Sequence, residues 1–247
     1  MTTLFRIFDF NQSTLLILGL TLSLSLVSES GRGQDALLTT AETVLRYQRL
    51  TGGWPKNYDF SRHLAKSEQQ KLLEQKKNND STIDNGATYR EIKILAQAYR
   101  LKKDPRFRLS AIEGIEYLLA AQYQNGGWPQ TFPNPTGYHR YITYNDNAMI
   151  GVLQLLNDIS QGNSLYSFTS LNLRRRCQTA VAKGIECILR CQIRVGENRL
   201  VWCAQHDHQT LAPRSARSYE LASLSGNESV EIIRFLMEID DPDPRIV

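Results

Sequence analysis

The chain has 247 residues, 41% of them hydrophobic, 22% charged and 9% aromatic, with a formal net charge of +4. That is ordinary globular composition, long enough for one sizeable core or two small ones. The basic excess is too weak for a nucleic-acid binder, which shows a clustered basic stripe, but it suits an acidic polymer if the cations converge in a cleft.

Residues 1–30 read as a secretory signal. Arg6 precedes the apolar run "TLLILGLTLSLSLV", short for a membrane span, and small residues follow up to Ser30. Asp9 is an imperfection in this pattern. Cleavage there removes Arg6, Asp9 and Glu29, leaving 28 basic and 23 acidic residues, a charge of +5. The mature module is 31–247, expected to be secreted (periplasmic or extracellular), free of the membrane after cleavage, and monomeric.

The next feature is a repeated loop. "QRLTGGWPK" at 48–56 returns as "QYQNGGWPQ" at 122–130. Counting back from Gln48, Gln122 and Gln192, apolar residues coincide in rows: Leu37, Ala111, Val181; Ala41, Ile115, Ile185; Val44, Leu118, Ile188; Leu45, Leu119, Leu189. Offsets of i, i+4, i+7 and i+8 mark one face of an α-helix. A period of 70 to 74 residues is too long for one helix, so each repeat carries two. The partners follow "STIDNGAT" (Ile92, Leu95, Ala96, Tyr99), "TYNDNAM" (Met149, Val152, Leu153, Leu156) and "SLSGNES" (Ile232, Ile233, Leu236). Pro105 after Asp104 opens a helix at its first turn. The pattern predicts an all-α (α/α)3 toroid of three helix-pair repeats, with the long Gly-, Pro- and Asn-rich loops gathered on one face. Three cysteines, Cys177, Cys187 and Cys191, fall within one predicted helix and Cys203 follows it; they read as small buried apolar residues.

The loop face carries the candidate chemistry. Asp84 and Asp146 occupy matched places, each followed by Asn and each just before the second helix of a pair. Carboxylates with adjacent amide oxygens supply hard ligands for calcium, but Asp and Asn are also favoured helix N-caps. Both readings stand at this point. Arg214 and Arg217 lie close together in the third loop. Trp54 and Trp128 suit either stacking on sugars or plugging the core. His206 and His208 lack a third zinc ligand of matching spacing, and Ser215 and Ser218 lack a nucleophile elbow.

At these residues the chain resembles the pectate lyases of polysaccharide lyase family ten. The blocks are "GGWPKN", "TIDNGAT", "AAQYQNGGWPQTFP", "YITYNDNAM", "WCAQHD", "ARSYE" and "SLSGNESV", in order, from about Leu37 to Ile239. The resemblance implies calcium-dependent β-elimination of α-1,4-polygalacturonate to 4,5-unsaturated products. It implies Arg217 as the catalytic base, Asp84 and Asp146 with Asn85 as the metal and substrate site, and Lys56 as a contact for a substrate carboxylate; Trp128 and Arg214 are further candidate substrate contacts by residue type and place on the rim. Family members continue beyond "SVEIIRFLM", so the module is expected to be incomplete at its C-terminus. Two rivals remain. A helix-pair terpene cyclase shares the QxxxGxW loop but needs a DxDD acid that is missing here. A pectin-binding descendant of a lyase would keep the fold without turnover.

Overall fold

The computed structural model describes residues 32–61, 64–240, 242 and 244–246. The expected signal segment lies outside these. Among the described residues no helix is long and apolar enough to cross a membrane.

Three helix pairs build the molecule. The first pair is α1 (residues 32–47) with α3 (Tyr89–Lys102), the second α4 (Pro105–Ala121) with α5 (Ala148–Ser160), and the third α6 (Leu171–Cys191) with α7 (Gly226–Met237). The second helices form the inner layer, with α5 between α3 and α7, and α4 meets α6 in the outer one. This is the expected (α/α)3 toroid. Burial follows the layering. Nine of the thirteen residues of α5 are buried, on every side, because inner helices on either hand and α6 outside enclose it. On α6 the buried row Leu173, Cys177, Ala180, Val181, Gly184, Cys187, Ile188 and Cys191 forms one stripe, as a half-exposed outer helix requires. All four cysteines are free and buried.

Connections alternate in length. Two residues link α3 to α4, where Asp104 caps the helix by accepting from the Arg106 amide at 2.9 Å, with Pro105 at the first position. The loops within pairs (48–88, 122–147, 192–225) are long and lie side by side. The Ile83 amide donates to the Gln130 carbonyl at 3.1 Å, joining the first two loops. The short strands β1 (Ile142–Thr143) and β4 (Gln205–His206) pair antiparallel, joining the second and third. Within the third loop β2 (Arg194–Val195) and β3 (Asn198–Arg199) form a hairpin. One helix was not expected: α2 (Lys66–Gln75), inside the first loop, with Leu72 its single buried residue.

The repeated loop has a structural task. Gln48 Nε2 donates to the Gly52 carbonyl at 2.8 Å and to the Ser110 carbonyl on α4 at 3.0 Å. Gln122 Nε2 does the same to Gly126 at 3.0 Å and to Ala180 on α6 at 2.9 Å. Each glutamine therefore closes its own loop and fastens it to the outer helix of the next repeat. The indoles point the other way, Trp54 to the Val44 carbonyl at 2.8 Å and Trp128 to the Leu118 carbonyl at 2.7 Å. Gly126 has φ +95°, and a Cβ there would lie 1.9 Å from the Lys183 carbonyl oxygen, so only glycine permits the contact. The third repeat keeps the anchor without the GGWP signature: Trp202, 74 residues after Trp128, donates to the Ile188 carbonyl at 2.7 Å.

Candidate active site

Local backbone chemistry presents the two aspartates. Asp84 opens a short turn (Asp84–Gly86) in which Asn85 has φ 51°, and Asp146 itself has φ 52° with Asn147 at 59°. Asp and Asn tolerate this left-handed region better than other side chains. Thr88 follows at φ 71°, an unfavourable value for a β-branched residue. It is held by donating to the Thr82 carbonyl at 2.8 Å and accepting from the Trp54 amide at 3.1 Å. The first GGWP loop thus fixes the segment that carries Asp84.

The capping alternative does not describe these aspartates. The N-caps of α3 and α5 are Thr88 and Asn147, neither with a side-chain cap hydrogen bond. Asp84 is buried at 3% exposure and pairs instead with the Lys56 ammonium. Asp146 is exposed at the cleft rim and accepts from Asn145 Nδ2 at 2.7 Å. Its pKa is raised, first by desolvation and then by the Asp84 and Glu228 carboxylates, while Arg217 opposes the shift. Asp146 therefore senses the charge of its matched partner.

Asp84, Asp146 and Arg217 meet in one polar cleft, each from a different loop. Lys56 and Asn85 line it too, as expected, with the Asn85 amide donating to Asn57 Oδ1 at 3.0 Å. Arg217 is paired with Glu220, which also accepts from the Arg217 backbone amide at 3.1 Å. This carboxylate raises the guanidinium pKa and holds it charged.

Two expected substrate contacts are placed elsewhere. Trp128 has 0% exposure and its ring lies inside the core, so it has no face to offer a sugar; the core reading of both tryptophans replaces the stacking one. Arg214 faces an adjoining hollow, pairs with Asp207 at 3.0 Å and lies over the Tyr141 ring at 5.6 Å. The carboxylate of Asp207 is held well below its usual range, chiefly by the Thr210 amide. Five cleft residues were not anticipated: Gln130, Tyr138, Asn145, Gln205 and Glu220. Each except Tyr138 lies inside a motif block or beside it, yet a lone Gln or Glu carries no spacing signal.

The oxygen set suits a hard divalent cation but does not complete its shell. Among the described residues no three His, Cys, Asp or Glu side chains form a metal cluster. Two carboxylates are joined by amide oxygens, of which Gln205 Oε1 is buried without a partner in a side chain 5% exposed. Calcium takes six to eight oxygens, so an ion here would be shared with an anionic ligand.

The pectic acid lyase family pattern matches residues 48–247. A mutant of the family 10 polysaccharide lyase from Cellvibrio cellulosa, solved in complex with trigalacturonic acid, superposes with a TM-score of 0.77 at 36% identity. That match covers 85% of this chain and 63% of the other. The family 10 polysaccharide lyase from Cellvibrio cellulosa solved under its own name gives 0.74 at 33% identity, covering 87% and 66%. The chain thus spans a little under two thirds of either solved relative. None of the curated proteins compared matches it. The terpene cyclase reading falls with these matches, in accord with the polar walls of the cleft. By sequence pattern and toroid together, the chain belongs to the pectic acid lyase family, on the fold of the family 10 polysaccharide lyases.

Proposed function

We propose that this protein cleaves polygalacturonate by calcium-dependent β-elimination, acting outside the cytoplasm. The observation that carries the reading is the convergence of Asp84, Asp146 and Arg217 on one polar cleft from three different loops. Asp84 and Asp146 would hold calcium, with amide oxygens of the same wall completing part of its shell. When bound, calcium neutralises the uronate carboxylate next to C5 and so makes that C–H more acidic. Lys56 and Asn85 stand where they orient the sugar. Arg217 removes the C5 proton, the freed electron pair forms the C4–C5 double bond, and the C4–O bond breaks, the departing oxygen of the preceding sugar taking up a proton from solvent. Arg217 works as a base only when neutral, and Glu220 holds it charged. That pair therefore has to open before Arg217 can act, and the positive charge of a bound cation nearby would then favour the neutral guanidine.

The same pair supports a second reading. A permanently charged Arg217 is a carboxylate anchor, and the protein then binds pectate without turnover. Replacing Arg217 by Ala separates the two. Loss of unsaturated product with pectate affinity within about threefold of wild type marks a catalytic arginine, since an exposed ion pair contributes little binding. Unchanged product formation overturns the assignment.

A further inference from the structure

Beside the cleft, the third loop builds a second cationic surface that the elimination chemistry does not use. Arg190, Arg194, Arg199 and Arg245 line one hollow of about 320 Å³, with Leu211 as its floor and no carboxylate in its walls. Arg194 and Arg199 stand directly opposite each other in the β2–β3 ladder. Like charges in that position are destabilising, so the hairpin is not arranged for its own stability. Glu197 at the hairpin tip makes no ion pair with either arginine, although both strands are exposed. Arg190 has an ordinary explanation in the last turn of α6, where the helix dipole favours a cation. Arg245 is paired with Glu186 at 2.9 Å. Arg199 Nη1 donates to the Arg245 carbonyl at 3.4 Å, a long neutral contact that leaves its charge unmatched, and neither explanation covers Arg194.

The position of the hollow indicates its ligand. Gln205 lines the cleft and Leu211 lines the hollow, so six residues of one loop connect them. Fully extended, that stretch spans at most about 20 Å. A rigid polyanion lying in the cleft and continuing toward the third repeat would pass this hairpin. Arginine forks fit carboxylates in a bidentate manner, and adjacent arginines fit a ligand that repeats its carboxylates.

We infer that the Arg194–Arg199 hairpin is an accessory binding site for an acidic polysaccharide, engaging uronate carboxylates beyond the reach of the cleft. This rests on the pectate reading of the cleft for the identity of the polymer, but not for the existence of the site. The test is affinity electrophoresis of the full chain, wild type and Arg194→Gln/Arg199→Gln, in gels containing polygalacturonate or its fully methyl-esterified form. Calorimetry with trigalacturonate and calcium is run in parallel. Removing two exposed guanidinium–carboxylate contacts weakens polymer retention about tenfold. Trigalacturonate affinity stays unchanged, the esterified gel retains neither protein, and the double variant melts no lower than wild type because a like-charge pair has been removed.

Equal retention of the two proteins overturns the inference, even with trigalacturonate binding intact and the cleft reading standing. Retention abolished by inorganic phosphate, at a concentration matching the uronate groups, also overturns it, since the site then takes any small anion. Arginine-dependent retention without trigalacturonate binding supports the hairpin site while sinking the cleft reading. An Arg194→Lys/Arg199→Lys variant tests fork geometry: retention should be intermediate, and full wild-type retention would contradict bidentate recognition.

Discussion

Gln48, Gln122 and Gln192 hold the same place in three repeats but make different numbers of contacts, which allows a graded test of what the repeated loop does. Gln48 donates twice, to Gly52 and Ser110 carbonyls, and its Oε1 accepts from Ser110 Oγ at 2.5 Å. Gln122 donates twice, at 3.0 and 2.9 Å, and Gln192 once, to the Leu200 carbonyl at 2.9 Å. Substitution by Met keeps the side-chain volume and removes only the hydrogen bonds. At about 1 kcal/mol for each bond lost, the costs are about 3, 2 and 1 kcal/mol respectively. The figure for Gln48 is the firmest, because its side chain is 7% exposed and leaves a buried hydroxyl and carbonyl unpaired. For a chain of this length the shifts in melting temperature are about 9, 6 and 3 °C. Urea unfolding followed by circular dichroism measures the order. A double-mutant cycle of Gln48→Met with Ser110→Ala should show coupling of about 1 kcal/mol. Three equal losses, or the reverse order, would refute the idea that Gln48 and Gln122 fasten their loops to the next outer helix while Gln192 only closes its own.

Further outcomes follow from single positions. Gly126→Ala places a methyl carbon 1.9 Å from a helix carbonyl and should prevent stable folding, whereas Gly137→Ala, at φ +54° in open space, should cost about 1–2 kcal/mol; soluble yield and urea midpoints distinguish them. The Asp146 carboxyl titrates above its ordinary value of 3.8, so protons displace calcium at a higher pH than from an unperturbed aspartate. Calorimetric calcium affinity should therefore begin to fall at a higher pH than an unshifted aspartate would allow, and a profile that weakens only below the ordinary carboxylate range would contradict the shift. Glu91 is fully buried, accepts from Tyr58 and Arg90 at 3.2 Å each, and leaves Oε2 unpartnered. Desolvation raises its pKa above 4.5, so the folded protein holds a proton that the unfolded chain has lost, and stability drops as pH rises through the folded value. Glu91→Gln should flatten that part of the pH–stability curve and be neutral or stabilising by about 1 kcal/mol at pH 7.

Much of the architecture was legible in the sequence because an outer helix writes its buried stripe plainly. The rows from Ala41 to Leu189 aligned because each repeat buries the same face, and the Asn-bearing segments before α3 and α5 marked where the loop face meets the inner layer. Helix α2 was not legible: only Leu72 is buried along it, so its apolar pattern is faint. The third anchor, Trp202, was hidden because the hairpin of the third loop replaces the GGWP turn while keeping the indole in place. Trp128 misled in the other direction. Amphipathic tryptophans suit both sugars and cores, and only the packing against Leu118 and α6 decides between them. At the cleft, Asp84, Asp146 and Arg217 were found through matched position and motif. Glu220 was not, since its importance lies in a turn that brings it back onto Arg217. Gln205 was likewise invisible, because a buried amide without a partner is a property of the fold and not of the residue type.

The most direct test of calcium-dependent elimination follows the ultraviolet absorbance of conjugated uronates during incubation with polygalacturonate, first with calcium and then with excess chelator. Absorbance should rise with time, stop rising on chelation, and stay flat with the Arg217→Ala protein. Cleavage that yields only saturated ends, or unsaturated product at an unchanged rate in the presence of chelator, would contradict calcium-dependent elimination at this site.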